Sequence, residues 1–252
     1  MELSKMKKPR LIVAMDVGTL AEVREITDSL AGLVDAYKVG SELFTACGPA
    51  AVRFIQAKGK DVFLDLKYHD IPNTVASAVK MAVGLSSAVE RTMDIPPGAG
   101  KPKGLLMFTV HTSGGLEMMQ AAVAAAQESA EKLDIPKPLV VGVTVLTSEE
   151  KRDNILALVL ERALLARRAG LDGVVASCEE AKFIRKEFGP DFVIVTPGIR
   201  PEGSDAQDQK RVATPREAVL SGSNFLVVGR PILKAPNPKQ AAKQILEAIN
   251  SL

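Results

Sequence analysis

Short runs of β-branched and other apolar residues recur along the chain, and each has the length of a strand. Because the runs are almost continuously apolar, they are typical of parallel strands that are covered on both faces. We predict eight strands, over residues 11–17, 36–40, 61–67, 104–111, 138–146, 170–177, 192–198 and 224–230.

Segments with helical spacing separate these runs. In residues 114–133 and again in 241–252, apolar positions recur at intervals of three or four residues, which is the repeat of an amphipathic helix. Strands that alternate with helices over 252 residues predict an α/β fold, and more narrowly a (β/α)8 TIM barrel. An open doubly wound sheet is the alternative, but no GxGxxG turn follows the first predicted strand. We therefore predict a single TIM-barrel domain over residues 1–252.

One segment, residues 84–104, interrupts this alternation and is rich in glycine and proline. Such a composition predicts a surface excursion without a regular fold of its own. Because the segment precedes a predicted strand, we expect it at the N-terminal end of the barrel, away from any active site. We interpret it as a tolerated insertion.

Composition and charge exclude several classes of protein. Hydrophobic residues make up 46% of the chain and the net charge is only +2, so neither nucleic acid nor an anionic membrane is an expected partner. Cys47 and Cys178 lie outside any Cys-x-x-Cys or Cys/His cluster, which argues against a disulfide framework or a zinc site. The longest apolar run, residues 139–146, is too short to cross a bilayer, and no signal peptide is evident. We expect a cytoplasmic protein.

Polar and charged side chains collect at the C-terminal ends of the predicted strands, whereas the strand starts show no comparable set. TIM barrels carry their chemistry at the C-terminal end. Local anion binding or catalysis is therefore expected there. The residues concerned are Asp16, Lys38, Asp65, Lys67, His111, Thr144, Thr147, Ser177, Arg200 and Arg230.

Four of these residues are expected to form a cluster of alternating charge. Asp65 and Lys67 are two positions apart on one strand and so face the same side, where Lys38 and Asp16 from neighbouring strands can join them. An opposite-charge pair at about 4 Å is worth roughly 4 kcal/mol at an effective dielectric of 20, which suits a rigid, protonated lysine acting as a general acid. A structural salt-bridge network that closes the barrel mouth explains the same pattern, and spacing leaves both interpretations open.

Two further stretches predict a phosphate site. TPGIR (196–200) and VVGR (227–230) each place glycine before arginine just after a strand. Glycine allows backbone N–H groups to approach an oxyanion, and arginine supplies a bidentate fork. In TIM barrels the loops after the seventh and eighth strands frequently bind phosphate. His69 and His111 are interpreted as structural or supporting residues.

These residues belong to stretches that resemble the orotidine 5′-phosphate decarboxylase family, in its bacterial form. The likeness runs in order from about residue 11 to 250, and the DxKxxDIPNT block is a specific marker of the family. The stretches are AMD (14–16), KVGSELF (38–44), DLKYHDIPNT (65–74), VTVLTS (143–148), VTPGIRP (195–201), DQKRVATP (208–215) and VVGRPI (227–232).

The resemblance implies decarboxylation of orotidine 5′-monophosphate to uridine 5′-monophosphate without a metal or organic cofactor. Lys67 would donate a proton to C6 of the pyrimidine, and Asp65 would lie against the substrate carboxylate. Lys38 and Asp70 would complete the charged array. Losing carbon dioxide leaves a carbanion at C6, which a fixed ammonium can stabilise and then protonate.

The resemblance also implies the remaining substrate contacts and a homodimer. Asp16 and Lys38 would bind the ribose hydroxyls, and Thr147 or its neighbour Ser148 would contact the pyrimidine. A loop over residues 201–209 would close over the phosphate. The phosphate ligands would be Arg200, Gln209, Gly229 and Arg230, and the residues completing the partner subunit's site would be Asp70, Ile71 and Thr74.

Two alternatives stay open at this point. Enzymes resembling 3-keto-L-gulonate 6-phosphate decarboxylase share the DxKxxD motif but use magnesium, with an acidic ligand where this chain has Lys38. A cation at that position repels a divalent metal and so favours the metal-free reaction. The second alternative is a nucleotide-binding barrel that has kept its phosphate loops and lost turnover.

Overall fold

Eight parallel strands form the centre of the molecule. The computed structural model describes residues 9–85, 105–146, 154–201 and 212–251. The strands close into a barrel in the order β1-β2-β3-β4-β5-β6-β7-β8. They are β1 (Arg10–Ala14), β2 (Ala36–Gly40), β3 (Asp61–Tyr68), β4 (Leu105–His111), β5 (Leu139–Val143), β6 (Gly173–Val175), β7 (Val193–Thr196) and β8 (Phe225–Val228).

Closure depends on β1, which pairs with a strand on each side. Ala14 lies opposite Lys38 of β2, and Leu11 lies opposite Leu226 of β8. An open doubly wound sheet would leave two unpaired edges, so that alternative is wrong and the predicted (β/α)8 barrel is confirmed.

Helices follow the strands and cover the outside of the barrel with their apolar faces. A 3-10 turn at Thr112–Gly114 joins β4 to the helix that follows it. The helices of the described residues are α1 (Leu20–Ser29), α2 (Ser41–Cys47), α3 (Pro49–Ala57), α4 (Pro72–Gly84), α5 (Gly115–Leu133), α6 (Ile155–Arg168), α7 (Cys178–Phe188), α8 (Pro215–Leu220), α9 (Arg230–Leu233) and α10 (Pro238–Asn250).

Alternation along the strands separates two apolar clusters. One fills the inside of the barrel and includes Ile12, Ala36, Phe63 and Met107, while the other packs between the strands and the helices. Because side chains of the same face recur every second residue, the positions directly above Phe63 and Met107 also point inward. The apolar interior therefore ends one layer below the C-terminal mouth, where polar side chains take over.

The strand bounds differ from the predicted ones mainly where apolar runs extend beyond the ladder. The sixth strand is predicted over residues 170–177 but pairs only over Gly173–Val175. Leu171 is buried in the turn after α6, so its apolarity reflects packing and not strand pairing. Of the predicted insertion at 84–104, Gly84 ends α4 and residues 86–104 lie outside the described part. Within the described part, no helix is both long and apolar enough to cross a membrane.

Candidate active site

A cavity of about 220 Å³ opens at the C-terminal mouth of the barrel. One part of its wall carries carboxylates and ammonium groups, another carries two guanidinium groups, and apolar side chains lie between them. The lining residues are Ala14, Asp16, Lys38, Phe63, Asp65, Lys67, Val143, Val145, Leu146, Val175, Val195, Pro197, Gly198, Arg200, Val227, Gly229 and Arg230.

The four charges predicted to cluster do so in strict alternation. Nζ of Lys38 lies 3.3 Å from Oδ1 of Asp16 and 3.7 Å from Oδ2 of Asp65. The same Oδ2 accepts a hydrogen bond of 2.8 Å from Nζ of Lys67. The order is therefore carboxylate, ammonium, carboxylate, ammonium, and Asp65 is the shared counter-ion of both lysines.

Burial differs along this chain of charges. The side chains of Asp65 and Lys38 are only 12% and 14% exposed, whereas those of Lys67 and Asp16 are 37% and 47% exposed. The central pair is thus fixed in a dry environment and the two ends face the cavity. A ligand in the cavity can reach the Lys67 ammonium at one end and the Asp16 carboxylate at the other.

The backbone that presents Lys67 is irregular. The pairing of β3 with β4 shifts register between Leu64 and Tyr68, and Lys67 has a φ of +51°, in the left-handed region. Simple strand alternation, the basis of the prediction, is therefore an incomplete reason for the contact between Asp65 and Lys67. A bulge at the end of β3 turns the lysine back over the carboxylate.

Thr109 on β4 holds this bulge, and sequence reasoning missed it. Its Oγ1 accepts a hydrogen bond of 2.9 Å from the Lys67 backbone N–H and donates one of 3.0 Å to Oδ1 of Asp65. The available signal was a lone hydroxyl before the last two residues of the otherwise apolar LLMFTVH run.

Two glycines make room for the charged groups. A Cβ at Gly40 would come within 2.8 Å of Nζ of Lys38, and a Cβ at Gly229 would come within 3.2 Å of Oδ2 of Asp16. Any larger residue at Gly40 would displace the lysine from between its two carboxylates. These positions explain why glycine ends β2 and follows β8.

The guanidinium groups occupy the region after β7 and β8, as predicted. Arg200 is buried, and burial together with the nearby Arg230 charge lowers its pKa. The segment around Arg200 is held by a backbone bridge between Ile199 and Ala213. Two like charges kept close in a partly desolvated wall create a positive potential that an anion would relieve.

Several predicted residues do not join the cavity in the single chain. Asp70, Ile71 and Thr74 are exposed at the start of α4, and Asp70 accepts a hydrogen bond from the Ile71 backbone N–H. These three do not line the cavity. Predicted substrate residues that fall outside the described part of the chain are Thr147, Ser148 and Gln209.

Other polar strand ends have local structural partners. The Thr144 hydroxyl donates to the Val175 carbonyl, and Ser177 forms a capping box with Glu180 at the start of α7. The His111 ring stacks on His69 with 5.3 Å between ring centroids. The polar residues at the strand ends therefore include more than the site itself, because strand ends also need residues that cap helices and form turns.

No grouping of three or more histidine, cysteine, aspartate or glutamate side chains suited to a metal occurs among the described residues. Among the described residues, the two carboxylates that line the cavity, Asp16 and Asp65, share the Lys38 ammonium. This donor set does not fit a divalent metal, because its centre is occupied by a fixed positive charge.

Comparisons with known proteins agree with this geometry. Residues 9–245 match the orotidine 5′-phosphate decarboxylase / HUMPS family. Orotidine 5′-phosphate decarboxylases from Moorella thermoacetica and Vibrio cholerae are 47% and 44% identical, over 96% and 98% of this chain and 92% and 99% of their own. The crystal structure of orotidine 5′-phosphate decarboxylase from Lactobacillus acidophilus superposes with a TM-score of 0.77 at 32% identity, covering 97% of this chain and all of that one. The chain therefore belongs to the orotidine 5′-phosphate decarboxylase / HUMPS family.

Proposed function

We propose that this chain is a carboxy-lyase of pyrimidine biosynthesis that converts orotidine 5′-monophosphate to uridine 5′-monophosphate and carbon dioxide. Membership of the family and the shared name of the relatives support this activity. The observation that carries the proposal is the alternating chain Asp16–Lys38–Asp65–Lys67 in the cavity wall. No metal or organic cofactor takes part.

In the proposed reaction Lys67 is the general acid. The bond between C6 and the carboxylate carbon breaks, carbon dioxide leaves, and the electron pair remains on C6. A proton then passes from the Lys67 ammonium to C6, and solvent reprotonates the amine. The ammonium is useful before it transfers the proton, because a fixed positive charge in a dry site stabilises the developing carbanion.

Asp65 holds the acid in place. Its Oδ2 lies 2.8 Å from Nζ of Lys67 and the carboxylate is nearly buried, so the ammonium cannot swing freely. The same negative charge lies beside the place proposed for the substrate carboxylate, and it favours departure of that group as neutral carbon dioxide. The ribose hydroxyls would contact Asp16 and Lys38, whose side chains face the cavity beside Asp65.

The phosphate is proposed to bind Arg200, Arg230 and the backbone of Gly229, joined by Gln209. Both guanidinium groups line the cavity, and the pKa of Arg200 is lowered in the free protein. A phosphate dianion would restore the balance of charge there. Residues 201–209 would close over it, and Thr147 or Ser148 would contact the pyrimidine. Binding energy from the phosphate, remote from C6, can then drive closure and desolvation.

We further propose a homodimer with shared sites. Ile71 is 67% exposed and Asp70 and Thr74 beside it are exposed, which suits residues that complete a neighbouring subunit's site. The test mixes two inactive variants, Lys67→Ala and Asp70→Ala. If each site takes Lys67 from one subunit and Asp70 from the other, exchange restores about a quarter of wild-type activity. No recovery on mixing, with subunit exchange demonstrated, would refute sharing.

The decisive experiment follows the absorbance of orotidine 5′-monophosphate in excess EDTA. The wild type should convert it, and Lys67→Ala should lose about a thousandfold or more, because the general acid is gone. Lys60→Ala is the matched control, since Lys60 lies just before the same strand and pairs with Asp35 at 3.0 Å. No conversion by the wild type would refute the proposed function.

A magnesium-dependent decarboxylase of sugar phosphates is the second candidate, and Lys38 is the residue that separates the two. The ammonium fills the space between Asp16 and Asp65 where a metal would need an acidic ligand. Turnover of 3-keto-L-gulonate 6-phosphate that EDTA stops and magnesium restores would favour this candidate. Tight binding of uridine 5′-monophosphate without any turnover would indicate a barrel that only binds nucleotides.

A further inference from the structure

We propose that Thr109 is a positioning residue whose hydroxyl sets both the backbone of the acid Lys67 and the orientation of Asp65. This inference rests on the proposed decarboxylation. Thr109 is completely buried and does not line the cavity, so it cannot touch a ligand there. Any effect it has on the reaction must pass through the residues that it holds.

The direction of the two hydrogen bonds is determined by chemistry. The Lys67 backbone N–H can only donate, so Oγ1 of Thr109 accepts that bond, at 2.9 Å. The single hydroxyl proton of Thr109 is then available to Oδ1 of Asp65, at 3.0 Å. Because a carboxylate oxygen accepts and a backbone N–H donates, this arrangement gives each of the three groups a partner.

The bond to Lys67 comes where the strand ladder fails. Between Leu64 and Tyr68 the pairing of β3 with β4 shifts register. Within that bulge Lys67 adopts a φ of +51°, which is uncommon for a residue with a side chain. The Thr109 hydroxyl takes over the N–H that a regular ladder would pair with a carbonyl. It therefore stabilises the one backbone conformation that turns the lysine towards the cavity.

Because of the hydrogen bond from Thr109, the two carboxylate oxygens of Asp65 have different partners. Oδ1 is held by Thr109, and Oδ2 faces Lys67 at 2.8 Å and Lys38 at 3.7 Å. Without the hydroxyl, the carboxylate could rotate and share its oxygens differently between the ammonium groups. Thr109 thus couples the position of the acid to that of its counter-ion through a single side chain.

Two matched pairs of side chains test the hydroxyl. Thr109→Val keeps the shape of threonine and removes the hydroxyl, and Thr109→Ala compared with Thr109→Ser does the same at smaller volume. The second pair keeps the test decisive if valine does not fold. Thr27→Val is the control, because Thr27 in α1 is also buried, its hydroxyl donates to the Val23 carbonyl at 2.9 Å, and it does not line the cavity.

The measurements are kcat and KM for orotidine 5′-monophosphate and Kd for uridine 5′-monophosphate. We expect kcat to fall about 10- to 100-fold in Thr109→Val and Thr109→Ala, because a small misplacement of a catalytic group costs up to about 100-fold. The Kd for uridine 5′-monophosphate should stay within about threefold, since phosphate binding does not involve Thr109. Thr109→Ser should keep kcat near the wild type, and Thr27→Val should leave kcat unchanged.

The outcomes separate this inference from the proposed function. An active wild type with the expected fall in kcat, and recovery by serine, supports the positioning role. An active wild type with unchanged kcat in Thr109→Val, or with serine no better than alanine, overturns that role and leaves the decarboxylase intact. Equal losses in kcat and in nucleotide affinity would also overturn it, because they indicate a general structural defect. An inactive wild type overturns both.

Discussion

The left-handed backbone conformation of Lys67 is expected to lower the free energy of unfolding, although its side chain is the proposed general acid. Its φ of +51° lies in the left-handed region, where Cβ crowds a neighbouring carbonyl oxygen. Lys67→Gly removes that crowding and Lys67→Ala keeps it. Because both substitutions remove the same ammonium, the difference between the two variants isolates the backbone strain.

Two opposing effects set the difference in the free energy of unfolding between Lys67→Gly and Lys67→Ala. The left-handed conformation costs a residue with a Cβ about 1–2 kcal/mol, and glycine has no such cost. Glycine also gives the unfolded chain more freedom, which offsets about 0.5–1 kcal/mol. Both variants lose the 2.8 Å pair with Asp65 and keep the backbone bond to Thr109. Lys67→Gly should therefore be more stable than Lys67→Ala by about 0.5–1 kcal/mol, or roughly 2 °C in Tm.

Urea denaturation followed by circular dichroism measures the free energy of unfolding of both variants. Asp134 is the positive control, because it is exposed at the end of α5 with a φ of +52° and should rank glycine above alanine in the same way. Both Lys67 variants should lose about a thousandfold or more in decarboxylation, since both lack the ammonium at position 67. The strain at Lys67 is refuted if Lys67→Gly is no more stable than Lys67→Ala while Asp134→Gly is more stable than Asp134→Ala.

Three further predictions concern other parts of the barrel. Arg230→Ala should weaken binding of uridine 5′-monophosphate about 10- to 100-fold, because a charge-assisted hydrogen bond is worth about 1.5–3 kcal/mol. Calorimetry measures this affinity, and an equal loss of affinity for uridine, which lacks the phosphate, would contradict the prediction. Arg185→Met should lower the free energy of unfolding by about 3 kcal/mol, because the buried guanidinium now donates to the carbonyls before β7 and β8; a cost below about 1 kcal/mol in urea would argue against it. Burial raises the pKa of the Cys178 thiol although it begins a helix. In a Cys47→Ser background, alkylation by iodoacetamide should therefore reach half its maximal rate at a higher pH than for a solvent-exposed cysteine thiol, and a lower midpoint would be evidence against burial as the main influence.

The charged cluster shows how far local spacing can be used. Spacing in DLKYHDI placed Asp65 and Lys67 together, and the structure finds them together, but through a bulge that alternation does not describe. A bulge depends on how β3 meets β4, and that register is a property of two strands distant in sequence. The same limit explains Thr109, whose partner Asp65 is 44 positions away.

Exposure of Asp70, Ile71 and Thr74 marks a different limit. The resemblance assigns them to a partner subunit's site, and within one chain they are exposed and lie outside its own cavity. Polar residues at other strand ends have structural roles, although their position predicts a part in the site. Ser177 and Thr144 are needed where they are to cap a helix and to pair with a carbonyl, and residue type alone does not distinguish such roles from catalysis.

By itself, the sequence determined the fold class, the approximate strands and the polar end of the barrel, because these depend on periodicity and on residues close in the chain. The motifs were specific enough to identify the family. Only the tertiary structure decided the closure of β1 on β8, the placement of the Lys38 ammonium between two carboxylates, and the hydroxyl that joins Asp65 to the Lys67 backbone. Those contacts depend on strand register and barrel curvature, which arise from all eight strands packing at once and not from any one segment.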